Sequence, residues 1–134
     1  MPKNLFTVYE REAKPTQRVI VSFPFDSNLS KNKALGTTRT GKWYTKAEHR
    51  KLKEDLYDLM KPECDKYAWK KEKYYLTIHV QKPSNRGDCV NYLDAIADVV
   101  KKCVQVDDNY MEVEQITFEV VREGVQKIYI SVAQ

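Results

Sequence analysis

Residues 88–102 limit the possible folds most, because they combine an apolar helical face with a ridge of polar side chains. At about 100° per residue, Asn91, Asp94 and Asp98 fall together on one side of a helix. An apolar arc on roughly the opposite side consists of Leu93, Ile96, Val100 and Cys103. Asp88 stands at the helix start, where a carboxylate caps free N–H groups. We therefore expect a helix that packs on one face and presents oxygen ligands on the other.

A second acidic element, Asp107 and Asp108, follows this helix directly after Val106. These two acids either form only a turn or face the helix ridge and complete a carboxylate cage. The ridge itself is either a solvated surface or half of that cage. Magnesium prefers oxygen ligands and keeps several waters, so one or two carboxylates per ion suffice. Two such ions activate water and stabilise the leaving 3′ oxygen in an attack on phosphate.

The first half of the chain predicts a strand, a loop and a helix. Residues 18–23 are typical of a short buried strand that ends at a proline. Residues 24–42 contain Pro, Asp, Ser, Asn and Gly with many basic side chains, and they predict a long loop. Thr45 and Glu48 form the capping box of a helix whose apolar stripe ends before Pro62. A basic loop thus separates the first strand from the first helix.

The second half predicts a strand over residues 74–81, the acidic helix, and two strands over residues 112–121 and 126–132. A turn at Glu123 and Gly124 joins the last two strands, so we expect an antiparallel hairpin there. The order predicts an α+β fold with a mixed sheet, two main helices and a C-terminal β-hairpin. A length of 134 residues fits one domain, which we expect to cover residues 1–134.

Charge is unevenly distributed along the chain. Lys and Arg exceed Asp and Glu by 23 to 19, and bases dominate residues 31–53 whereas acids cluster at 88–119. A basic surface attracts phosphates, while grouped carboxylates hold divalent cations. No apolar run approaches bilayer length and residues 1–6 have no signal-peptide character, so we expect a cytoplasmic protein without a membrane partner. The three cysteines lack metal-site spacing and are expected to be reduced thiols.

Four motifs along the chain are similar to those of one enzyme family. Residues 21–28 (VSFPFDSN) run from a strand into a Pro-, Ser- and Asn-containing loop, and residues 39–45 (RTGKWYT) form a basic loop before a helix. Residues 86–91 (RGDCVN) and 106–108 (VDD) carry the acids. In this order the motifs resemble the RusA family of Holliday junction resolvases, whose signature is Arg-x-Asp-x-Asp-Asn on a helix. The resemblance covers roughly residues 18–132.

The resemblance implies a single RusA-like domain that acts as a Mg²⁺-dependent endodeoxyribonuclease, with Mn²⁺ as the alternative metal. Such an enzyme resolves Holliday junctions in DNA recombination and repair as a homodimer on four-way DNA, and family members are typically carried by phages and prophages. The expected catalytic residues are Asp88 and Asp108, which match the family motifs, and Asp94, which departs from the family pattern. The implied metal ligands are these three and Asp107, supported by Asn91 and Asp98. The residues assigned to DNA binding are Lys31, Lys33, Arg39, Lys42 and Arg86.

Two positions depart from the family pattern. Val90 replaces the second Asp of the signature, and Asp94 replaces a Lys three residues after Asn91. Either Asp94 supplies the missing ligand from one turn further along the helix, or the site is inactive and the protein binds junction DNA without cutting it. A third hypothesis is a basic protein that acts through protein or RNA contacts. Assays of cleavage and of preference for branched DNA distinguish the three.

Overall fold

The computed structural model describes residues 15–134, so the expectation for the first six residues lies outside the described part of the chain. The strands are β1 Arg18–Pro24, β2 Leu35–Thr37, β3 Trp43–Thr45, β4 Tyr74–Lys82, β5 Met111–Val120 and β6 Lys127–Ala133. The helices are α1 Ala47–Cys64 and α2 Leu93–Val104. The expected α+β fold with two main helices and a mixed sheet is confirmed.

The main sheet has the strand order β1-β6-β4-β5. β6 pairs antiparallel with both β1 and β4, whereas β5 pairs parallel with β4. The expected C-terminal hairpin is therefore wrong, because β4 lies between β5 and β6. The turn signal at Glu123 and Gly124 is real, and Gly124 has a positive φ of 79°. This turn carries the chain past the end of β4, so that β6 pairs with β4 and not with β5.

Strand β4 forms the centre of the core because alternate side chains of a strand point to opposite faces. Tyr74, Leu76, Ile78, Val80 and Lys82 are buried on one face, and the residues between them are partly exposed. The two helices pack against each other on the buried side, and Leu56, Met60, Ile96 and Val100 join the same core. Burial of each such side chain stabilises the fold by about 1.5–3 kcal/mol.

The helix boundaries differ from the expected ones. Thr45 ends β3, so α1 begins after Lys46, which makes no side-chain cap, and the predicted capping box does not form. Pro62 lies inside the last turn of α1, so the helix continues past the expected end, although a proline there removes one i→i−4 hydrogen bond. In the second half, a 3-10 turn over Cys89–Tyr92 precedes α2, and Gln105 ends the helix in a left-handed conformation.

The predicted loop over residues 24–42 is largely structured. Two 3-10 turns, Ser27–Leu29 and Lys31–Lys33, are capped by the side chains of Asp26 and Ser30. Leu29 is fully buried and ties this segment to the core. The rest of the segment forms β2 and the turn to β3, which pairs antiparallel with β2. These contacts hold a basic segment in a fixed position beside α1 and α2.

Two smaller expectations concern membranes and cysteines. Within residues 15–134, no helix combines the length and the apolar character needed to cross a bilayer. Cys64, Cys89 and Cys103 are free thiols, as expected, and two of them are buried.

Tyr74 connects the start of β4 to the segment that follows α2. Its side chain is fully buried, and its hydroxyl donates a hydrogen bond to the carbonyl of Val106 at 3.0 Å. Val106 immediately precedes Asp107 and Asp108. This bond therefore fixes the point from which both acids extend.

The Tyr74→Phe variant tests this anchor. We expect the free energy of unfolding to fall by about 1–2 kcal/mol near neutral pH, because the Val106 carbonyl loses its partner. Burial, with the charges of Asp108 and Asp107, raises the pKa of Tyr74 to about 12. In the unfolded chain a tyrosine has a pKa of about 10. The folded state therefore holds the proton more tightly, and the wild type loses stability as the pH rises from about 10 to about 12.

Tyr74→Phe has no ionisable group at this position, so it does not lose stability through this titration as the pH rises. Urea unfolding of both proteins at about pH 8 and at about pH 11.5 should show a stability gap that narrows at the higher pH. A gap of constant size would contradict the assignment of the raised pKa to Tyr74.

Candidate active site

The structure brings three of the predicted acids to one cleft of about 540 Å³. We call it the acidic cleft, and its polar side chains are those of Lys31, His49, Lys53, Asp94, Asp98 and Asp108. Asp94 and Asp98 extend from α2, and Asp108 comes from the 3-10 turn Asp108–Tyr110. The other wall consists of α1 and the turn Lys31–Lys33. Four separate segments therefore build this cleft.

Asp88 and Asn91 line a neighbouring cleft of about 210 Å³. We call it the Asp88 cleft, and it also contains Ser27, Ser30, Lys33 and Arg86. Two of the residues assigned to DNA binding, Lys33 and Arg86, thus lie beside Asp88. The turn Lys31–Lys33 contributes to both clefts, with Lys31 in one and Lys33 in the other. The predicted acidic cluster is divided between two adjacent depressions.

The Asp98 carboxylate pairs with two lysine side chains. Lys53 of α1 donates a short hydrogen bond to its carboxylate, and the Lys102 Nζ lies 3.4 Å from Oδ2. Partial burial acts to raise the pKa of Asp98, but the hydrogen bond and charge of Lys53, together with Lys102, lower it below its usual range. Asp98 therefore ties α1 to α2, which fits its expected supporting role better than direct metal binding.

Asp108 lines the acidic cleft, and Asp107 is not among the residues that line it. The Asp107 carboxylate accepts a hydrogen bond from the backbone N–H of Asn109 at 3.2 Å and caps the short turn. This bond, and one involving Asp108, hold the pKa of Asp107 below its usual range. Asp108 contacts Asp107 through its side chain and has a loose ion pair, with 3.9 Å between its Oδ1 and the Lys101 Nζ. Of the two acids, Asp108 is the one that lines the acidic cleft.

The available carboxylates have the chemistry that Mg²⁺ prefers. Asp94 and Asp88 are exposed and form no ion pair with any residue between 15 and 134. No group of three or more His, Cys, Asp or Glu side chains in that range is close enough to hold one ion. The residues fit a Mg²⁺ ion bound by one or two carboxylates and several waters, rather than a closed protein cage.

The basic residues assigned to DNA binding are all exposed. Arg39 and Lys42 lie at the tip of the β2–β3 hairpin, where Gly41 has a positive φ of 83° and allows the tight turn. Trp43 follows in β3 and is 71% exposed. We call residues 35–45 the basic hairpin. An exposed tryptophan between basic side chains is typical of a surface on which unpaired bases stack.

Sequence reasoning missed Lys82, which is 2% exposed at the end of β4. Its Nζ donates to the carbonyl of Gly87 at 2.6 Å and lies 4.0 Å from the centroid of the Phe118 ring. Among residues 15–134 no carboxylate pairs with this ammonium. The alternation along β4 was the available signal, because it continues inward through Lys82. Lys82 thus holds the residue directly before Asp88.

The predicted site did not include His49, which the sequence indicates to be a packed or exposed residue, and helical spacing places it on the same face of α1 as Leu56 and Met60. It is buried, and its Nδ1 lies 2.9 Å from the carbonyl oxygen of Asn28. His49 lines the acidic cleft. The histidine therefore combines a contact within the fold with a position beside the candidate acids.

The Lys82→Met variant separates the role of Lys82 in holding the loop over residues 83–88 from its effect on the stability of the whole fold. An apolar side chain of similar length removes the cost of burying a charge, so we expect equal or greater overall stability. The loop over residues 83–88 loses a charge-assisted hydrogen bond worth about 1.5–3 kcal/mol, so trypsin should cut after Arg86 about tenfold faster. Lys82 precedes Pro83, where trypsin does not cut, so the substitution removes no trypsin site.

The matched control is Lys127→Met, because Lys127 is exposed at the start of β6. It should leave cleavage after Arg86 unchanged. Equal cleavage of the wild type and Lys82→Met would show that Lys82 does not hold the loop.

The chain matches no protein-family model and no curated protein. The resemblance to the RusA family consequently remains a prediction that depends on the four sequence motifs.

Proposed function

We propose that this protein is a Mg²⁺-dependent endodeoxyribonuclease that cuts branched DNA, including Holliday junctions, in recombination and repair. The single observation that carries the proposal is that Asp94 of α2 and Asp108 of the turn after it line one cleft beside basic side chains. An isolated surface ridge on α2 would not include an acid from the segment after the helix. The proposal includes Mn²⁺ as an alternative metal, a homodimer, a cytoplasmic location and a phage or prophage source.

The residues have separate roles in this proposal. Asp94 and Asp108 would hold the cation in the acidic cleft, and Asp88 would bind metal or metal-bound water from the adjacent cleft. When bound there, the cation supplies a Lewis acid that lowers the pKa of water and offsets phosphate charge. Asn91 lies beside Asp88 and can orient it or a water molecule. Lys31 and Lys53 line the acidic cleft and attract the phosphate.

The position of Asp94 favours the active form of the site over the inactive one. Asp94 is exposed, lines the acidic cleft and has no ion-pair partner among the described residues, whereas Asp98 on the same helix is held by Lys53 and Lys102. The Asp94 carboxylate is therefore open to a metal ion, whereas the Asp98 carboxylate is already paired with lysines. This supports Asp94 as the substitute for the acid absent at Val90.

Cleavage of a synthetic four-way junction with Mg²⁺ tests the site. We expect Asp88→Asn, Asp94→Asn and Asp108→Asn each to lower the cleavage rate by about 10²-fold or more, because several kcal/mol of charge stabilisation is lost. Asp55→Asn is the matched control, since Asp55 lies on α1 and pairs with Lys51 outside both clefts. It should cut within about twofold of the wild type.

Each outcome supports one hypothesis. If all four variants cut as fast as the wild type, the site assignment is wrong. If the wild type binds junctions but does not cut with Mg²⁺ or Mn²⁺, the protein is a non-catalytic junction binder. A wild type with equal affinity for branched and linear DNA would favour the third hypothesis, contacts with protein or RNA.

The basic hairpin provides a separate prediction about DNA affinity. Neutralising Arg39 and Lys42 together should weaken junction binding and reduce the slope of log affinity against log salt by about 2, one for each lost phosphate contact. The control replaces Lys70 and Lys71 by Ala, which removes the same charge from an exposed segment remote in sequence. An equal change of slope in both double variants would indicate attraction by net charge alone.

A further inference from the structure

His49 has a defined tautomer because of its contact with Asn28. The Nδ1 of His49 lies 2.9 Å from the carbonyl oxygen of Asn28. A carbonyl oxygen only accepts hydrogen bonds, so Nδ1 carries the hydrogen. In the neutral ring, Nε2 is then the nitrogen with the free lone pair. The fold therefore fixes which nitrogen of His49 can accept a proton.

The Nε2 of His49 reaches the acidic cleft. It has no hydrogen-bond partner among residues 15–134. Every fully buried side-chain nitrogen or oxygen atom in that range has a partner. Nε2 is therefore accessible to solvent although His49 as a whole is only 6% exposed. Because His49 lines the acidic cleft, that access is to the cleft.

Charged groups from three other segments line the same cleft. Asp94 and Asp98 come from α2, Asp108 comes from the turn before β5, and Lys31 comes from the turn Lys31–Lys33. Lys53, one turn after His49 on α1, is held by Asp98. Of these groups, Asp94 is left without an ion pair by the described residues and Asp108 has only a loose one. The lone pair of His49 thus opens onto the space where the proposed cation and phosphate would meet.

We propose that His49 is the general base of this site, an inference that rests on the proposed nuclease function. Nε2 accepts one proton from a water molecule, and the water oxygen forms a bond to phosphorus. The bond from phosphorus to a bridging sugar oxygen breaks, and its electron pair stays on that oxygen, which takes a proton from solvent. The products are a phosphate monoester and a free hydroxyl, and protonated His49 returns its proton to solvent.

A structural role of His49 and a catalytic role make different predictions for one substitution. If His49 only joins α1 to the Ser27–Leu29 turn, any side chain that donates to the Asn28 carbonyl should suffice. In His49→Asn the amide NH₂ takes the place of Nδ1–H, but no basic nitrogen remains. Loss of the base typically lowers a rate by about 10²–10⁴-fold.

The experiment measures single-turnover junction cleavage, junction affinity and melting temperature for His49→Asn. We expect the rate to fall by about 10²-fold or more, with affinity and melting temperature close to those of the wild type. The matched control is His79→Asn, because His79 lies on the opposite face of the sheet and contacts Thr117 and Glu119. His79→Asn should cut at the wild-type rate.

A second measurement does not depend on cleavage. Nitrogen-15 NMR of the wild type at a pH where His49 is neutral should show hydrogen on Nδ1 and a free lone pair on Nε2. The opposite tautomer would overturn the inference, and so would wild-type cleavage by His49→Asn. If those results occur while Asp94→Asn and Asp108→Asn are inactive, only the role of His49 is wrong. If the wild type itself cuts no junction, the proposed function and the role of His49 fall together.

Discussion

The parallel pairing of β4 with β5 is the constraint on which the rest of the structure depends. Two adjacent parallel strands cannot be joined by a tight turn, so the chain between them must cross over one face of the sheet. Residues 83–110 form this crossover and contain α2. Every acid assigned to the site lies within it. The same requirement that completes the sheet therefore brings Asp88, Asp94 and Asp108 to the face occupied by α1.

Electrostatic pairing then determines which acids remain available. Lys53 and Lys102 neutralise Asp98, and this pairing stabilises the contact between α1 and α2. Asp107 is used to cap a turn. Asp94 lies beside these groups without a cation of its own among the described residues. The cluster thus contains acids that hold the fold together and acids that are free to bind, and sequence alone does not distinguish them.

The sequence was most informative where a local rule determines the outcome. Helical periodicity correctly placed the apolar arc of α2 in the core. The sequence could not decide whether the acids after α2 face the ridge, and the structure places Asp108 in one cleft with Asp94. The hairpin prediction was wrong because strand pairing depends on long-range contacts that a turn signal does not specify. The capping box failed because β3 extends through Thr45. Lys82 and His49 were missed because burial of polar residues is set by the assembled core, although the period of β4 already pointed to Lys82.

The position of β5 at the edge of the sheet affects how copies of this protein can associate. An edge strand exposes backbone groups that can pair with a strand of another molecule and start aggregation. Here Glu112, Glu114 and Glu119 are exposed along that strand. In an antiparallel pair formed through β5 of two molecules, these carboxylates would approach like charges on the partner strand, which is destabilising. Strand addition at this edge is thereby disfavoured, whereas β1, at the opposite edge of the sheet, carries no acidic side chain.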